Sequence, residues 1–192
     1  MHNAGKPMGT PMTTAEMRAP APAAGIAPAA SAPRRIGLRI ALSVIALLEL
    51  YWGMSSAPTL LDDMSKVPGH GIGAAIVKLH LAVHPVLALS ALLFAAIGYV
   101  RHAVMGLGAV MLMTWLSYMP SVVRHGLAFN GPYAALETVV QIILFPLMAA
   151  FAIACAARDQ RLGAATALVS TPTLLNLFTT MAFFIAMTTR GF

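Results

Sequence analysis

Residues 74–122 read AAIVKLHLAVHPVLALSALLFAAIGYVRHAVMGLGAVMLMTWLSYMPSV. Two apolar runs, 74–100 and 103–122, are separated there only by Arg101 and His102. At 1.5 Å of rise per residue, each is long enough to cross a bilayer core of about 30 Å as a helix. So short a separator leaves room only for a tight reversal, and the pair predicts a membrane-spanning helical hairpin. Three further apolar runs, 36–55, 134–156 and 164–188, flank it, and the longest connection is residues 56–73. The expected fold class is all-α: a polytopic membrane protein whose residues 34–192 form a bundle of five transmembrane helices. No internal repeat is visible, which weakens the case for an inverted-repeat transporter.

Composition agrees. Of 192 residues, 59% are hydrophobic and 9% charged, against about 25% charged in a typical soluble domain. That leaves too little polar surface for an ordinary soluble enzyme. The net charge of +6 would suggest nucleic acid in a soluble chain. Here the basic residues sit in loops and a tail, so membrane orientation explains them and no nucleic-acid partner is expected. The single cysteine, Cys155, excludes an internal disulfide, a CxxC pair and a cysteine-built zinc site.

Residues 1–33 hold six of the thirteen prolines, with no apolar periodicity, and are expected to be a disordered tail, either a spacer or a docking segment for a soluble partner. Arg34-Arg35 before the first apolar run resembles a twin-arginine export signal. Pro58 after the small-residue stretch Ser55-Ser56-Ala57, and the later spans, predict instead a retained first helix. With the N-terminus inside, Lys6, Arg18, Arg34, Arg35, Arg39, Arg101, Arg158 and Arg161 fall on one side and Lys66, Lys78, Arg124 and Arg190 on the other. This bias predicts a cytoplasmic N-terminus and an outer C-terminus in a cell membrane.

Small and polar residues at helical spacing mark faces turned toward other helices. Arg39, Ser43, Ala46, Glu49, Gly53 and Ser56 form such a stripe on the first span, and His80, His84, Ala88, Ala91 and Ala95 on the second. Gly106, Val110, Thr114, Ser117 and Ser121 do so on the third, and Thr166, Ser170, Thr173, Asn176 and Thr180 on the fifth. Ordinary helix packing accounts for the Ala, Gly, Ser and most Thr. It accounts less easily for titratable groups, since a charge at bilayer depth costs at least ~2.5–3.5 kcal/mol. Glu49 lies about 9 Å inside the outer end of its span. His80, His84, Glu137 and Gln141 fall in the outer half of spans that enter from that side, and Tyr118, Ser117 and Thr180 belong to the same half. Threading the spans alternately therefore gathers the polar groups in the outer half and leaves the inner half apolar.

The expected site is a pocket of Glu49, His80, His84 and Glu137 that binds or conducts a cation, either a proton or a divalent metal. Gln141, Tyr118 and Asn176 would support those groups with hydrogen bonds. His80 and His84, at i,i+4, share one helix face, and a carboxylate would complete a two-histidine set suited to zinc, iron or manganese. The same residues could serve only as interhelical hydrogen bonds. Pro85 has no N–H for the Leu81 carbonyl, which is left free for another donor. Haem fits poorly, because histidines at i,i+4 cannot take opposite faces of one iron. No HExxH motif is present, and no Gly-x-Ser-x-Gly setting marks a nucleophile, so an enzyme is not favoured. Lys78 is expected to snorkel to the headgroups, and Asp62, Asp63 and His70 to lie in a solvated loop. The rival class is a non-catalytic subunit of a larger membrane complex, with the polar cluster acting as interhelical glue.

Overall fold

The structure is a computed structural model that describes residues 32–61, 71–127 and 132–190. Among them there is no strand. Helix α1 (Ala32–Ser56) is followed by a 3₁₀ turn, Ala57–Leu61, and then by α2 (Ile72–Ile97) and α3 (Val100–His125). Helix α4 (Pro132–Val139) runs through a π turn, Val140–Leu144, into α5 (Phe145–Ala157), and α6 (Leu162–Arg190) is the last described element. Among the described residues, five helical segments are long and apolar enough to cross a membrane. The tail up to residue 31, and the loop residues Asp62, Asp63, Lys66 and His70, lie outside the described residues.

Successive helices pack side by side: α1 on α2, α2 on α3, α3 on α5 and α5 on α6, with α6 returning to α1 and α3. The bundle thus closes on itself, and its two ends can be named from α1. The proximal end holds the start of α1, the α2–α3 turn and the α5–α6 turn. The distal end holds the end of α1 and the starts of α2 and α4.

The hairpin turn, Gly98-Tyr99, sits three residues earlier than the position of Arg101-His102 suggests. Gly98 adopts a left-handed conformation at φ 103°, which costs glycine nothing sterically. Its N–H reaches Phe94 and Ala95 carbonyls, and the Tyr99 N–H bonds Phe94 at 2.8 Å, a Schellman closure of α2. Arg101 and His102 consequently belong to the first turn of α3. The α5–α6 turn uses the same device without glycine. The Gln160 N–H bonds the Cys155 carbonyl at 2.9 Å, while Asp159 and Arg161 take φ values of 53° and 49°. Arg39 adds a side-chain cap: its guanidinium donates to the carbonyls of Ala95 and Ala96, favourable for a cation at a helix C-terminus.

The dry core occupies the proximal half. Leu42, Ile45 and Ala46 of α1 meet Ala91 and Ala95 of α2, and Val104 and Leu107 of α3. Ala149, Ala152 and Ala156 of α5 and Ala165 and Val169 of α6 complete it. So many alanines draw the backbones together, and van der Waals contact rather than exclusion of water holds helices in an apolar medium. Gly108 is the tightest point: a Cβ there would lie 2.6 Å from Ile153 Cγ1. The outward face of α1 carries Ile36, Ile40, Val44, Leu47 and Tyr51 in helical register, all exposed. The last half of α6 is exposed on nearly every side. Three of its threonines satisfy their own hydroxyls, Thr179 on Leu175, Thr188 on Phe184 and Thr189 on Ile185. Such self-bonded threonines are compatible with an apolar surround.

Candidate functional site

Glu49 stands seven residues before the end of α1, on the stripe that includes Ala46 and Gly53. Gly53 makes its position useful, because a Cβ there would lie 3.2 Å from His84 Cδ2 and 3.3 Å from Pro85 backbone atoms. Without a side chain at that point α1 approaches α2 closely, and Glu49 Oε2 comes within 3.1 Å of His84 Nε2. The other oxygen, Oε1, accepts the Thr173 hydroxyl of α6 at 2.6 Å. One carboxylate therefore ties three helices together. The pair is largely shielded, with 11% of the His84 side chain and 14% of the Glu49 side chain exposed.

One helical turn before His84, His80 places its ring 5.1 Å from the His84 ring, at an interplanar angle of 58°. Its Nδ1 is buried and has no hydrogen-bond partner. Both histidines and Glu49 border a cavity of about 300 Å³ in the distal half. Gln141, Tyr118 and Asn176 line the same cavity, so these three residues singled out in the sequence do converge with Glu49, His80 and His84. Of the lining residues, Tyr118, 43% exposed, and Asn176 also reach the surface. The side chain of Glu137, the fourth expected member, lies outside the described residues.

Several contributors carried no sequence signal read as functional. Trp52 and Trp115 line the cavity, and Trp115 Nε1 donates to the Ile142 carbonyl at 3.0 Å. That carbonyl is available because Pro146, four residues on, has no N–H to offer it. The helix bridges the gap with a π turn, in which the Phe145 N–H reaches back to Val140. Phe145-Pro146 in an apolar run was the available clue. Thr173 stood on the packing stripe, but its bond to Glu49 spans 124 positions of sequence. Ser121 and Thr180, on the expected inward stripes, are exposed instead. Lys78 does not simply reach outward: its ammonium donates to the Leu60 carbonyl of the 3₁₀ turn at 3.3 Å.

The chemistry this allows is specific. With Glu49 ionised, the His84 Nε2–H donates to it; with the proton on the carboxyl, the same bond runs in reverse. A proton can thus reside on either partner without the geometry changing. A metal is a poorer match. Among the described residues no three His, Cys, Asp or Glu side chains form a group able to hold one, and His84 Nε2 is already engaged by Glu49. Compared with protein families, with curated proteins and with solved structures, the chain matches none. Fold and site define it, over the described residues, as an all-helical protein with five helices of membrane-crossing length and an acid–imidazole pair beside a polar cavity.

Proposed function

We propose that the protein is a polytopic membrane protein that takes up and releases a proton at the Glu49–His84 pair, through the distal cavity. The observation that supports this most directly is the shielded carboxylate bonded to both His84 and Thr173 at the edge of a cavity of about 300 Å³. A titratable pair at such depth is expensive to insert, and such groups commonly mark ion or proton pathways. His80, with a buried unbonded Nδ1, is the next acceptor along the same helix face. In this reading the distal end is the outer one and the N-terminus is cytoplasmic, following the bias of Lys and Arg between the two sides.

The test is proton movement in sealed vesicles reporting internal pH. Glu49→Gln keeps the shape and a hydrogen-bonding group but cannot carry the proton, and is expected to abolish flux. Flux equal to that of the unmodified protein would remove Glu49 from the mechanism. A divalent metal retained by the purified protein, and lost in the His80→Ala/His84→Ala variant, would turn the site to the metal reading.

A second reading, a subunit of a larger membrane complex, draws support from α6. Phe178, Phe183, Phe184 and Ile185 stand exposed there. In that case Glu49→Gln would lower stability without any flux to lose.

A further inference from the structure

A second cavity, of about 270 Å³, lies at the proximal end, on the far side of the dry core from the Glu49 site. Arg35 and Leu38 of α1, Tyr99 and the first turn of α3 with Arg101 and His102, and Asp159 of the α5–α6 turn border it. We propose that this cleft binds a phosphate-bearing anion, with Arg35 and Arg101 as the charged ligands.

Charge is the first reason. Two arginines face the cleft against one carboxylate, Asp159. Among the described residues neither arginine is paired with a carboxylate. Arginine presents a fork of N–H donors that matches phosphate oxygens two at a time.

Backbone polarity is the second. Helices α1, α3 and α6 all begin at this end, while α2 and α5 finish there. The carbonyl ends of α2 and α5 are closed by the Schellman-type bonds of Tyr99 and Gln160, and α2 is further capped by Arg39. The first turns of α3 and α6 border the cleft through Val100, Arg101, His102 and Leu162, and the positive ends of their helix dipoles favour an anion there.

The third reason is shape. His102 stacks with Phe94 and, edge-on, with Tyr99, at ring-centroid distances of 5.3 and 5.8 Å. That fixes one wall. The turn that supplies Asp159 holds two non-glycine residues at positive φ, a conformation that surrounding structure must enforce. A phospholipid headgroup and free phosphate share the recognised chemistry. The cleft's position at a bundle end, beside the exposed apolar Ile36 and Ile40 of α1, favours the headgroup.

The experiment is native mass spectrometry of the full chain purified in detergent. It is titrated separately with an anionic phospholipid, a zwitterionic phospholipid and inorganic phosphate. Preferential retention of one anionic lipid is expected, weakened about tenfold for each arginine replaced in Arg35→Gln and Arg101→Gln. Asp159→Asn removes the one carboxylate, and asparagine tolerates the left-handed backbone. It should bind the anion more tightly, a gain that misfolding cannot imitate. Displacement of the lipid by inorganic phosphate alone would make free phosphate the occupant of the same site. Equal retention of anionic and zwitterionic lipids with no phosphate binding, or an Asp159→Asn variant no tighter than the parent, would overturn the proposal.

Discussion

Glu49 directs its two oxygens at two different helices, and the strength of the site depends on both bonds being kept. A hydrogen bond to a charged group is worth about 1.5–3 kcal/mol. Thr173→Val, which keeps the shape and deletes the donor at 2.6 Å, should therefore lower the thermal midpoint measurably. Because the His84 bond survives, proton flux should fall less than in Glu49→Gln. A Thr173→Val protein with an unchanged melting curve would mean that the hydroxyl does not bond the carboxylate. Gly53 acts at the same scale by the opposite means. A methyl group placed 3.2 Å from His84 Cδ2 and 3.3 Å from the backbone of Pro85 meets atoms that cannot simply swing aside. Gly53→Ala should push α1 off α2 and weaken flux with little change in helix content by circular dichroism. The i,i+4 histidines and the depth of Glu49 were legible in the sequence. The Thr173 bond was not, because its partners are 124 positions apart and no local pattern relates residues at that distance.

At the scale of elements, prolines decide the geometry of the cavity wall. Pro146 forces the π turn and frees Ile142 for Trp115. Pro146→Ala restores the missing N–H, so the helix can relax to α and rotate α4 relative to α5. Gln141 would then turn away from the cavity. In a Cys155→Ala background, Gln141→Cys should react with a small aqueous thiol reagent, and adding Pro146→Ala should slow that reaction severalfold. An unchanged rate would show that the π turn does not depend on Pro146. The α3–α5 seam makes a complementary demand. Overpacking a close contact costs about 1–3 kcal/mol, and a Cβ on Gly108 would sit 2.6 Å from Ile153. Gly108→Ala should lower the thermal midpoint, and shortening the opposing side chain with Ile153→Val should recover part of the loss. The hairpin between α2 and α3 was legible, but its turn was displaced. Counting polar residues pointed to Arg101-His102, whereas the backbone turns where Gly98 can adopt φ 103°.

For the molecule as a whole, polarity is divided along the helix axes. Alanines and branched aliphatics fill the core of the proximal half, and Glu49, His80 and His84 gather in the distal half around the cavity. Each end carries its own chemistry: an acid–imidazole pair near one and an arginine-lined cleft at the other. Orientation is testable on this scale. In a Cys155→Ala background, cysteine at position 66 should be labelled by an impermeant reagent from outside the cell, and cysteine at position 159 only after permeabilisation. Labelling of position 159 from outside would reverse the proposed orientation and place the arginine cleft on the outer side.

Taken by itself, the sequence determined the helical class, five segments of membrane-crossing length and the shared depth of Glu49, His80 and His84. These follow from composition, run length and 3.6-residue periodicity, each a property of short stretches of chain. Only the tertiary structure decided that Glu49 faces His84 and Thr173 together, that Trp115 holds a carbonyl freed by Pro146, and that Arg35, Arg101 and Asp159 share one cleft. Such meetings depend on helix rotation and close approach, which small residues such as Gly53 and Gly108 set by what they omit. A missing side chain leaves little pattern in a sequence, and its consequence is visible only where two backbones meet.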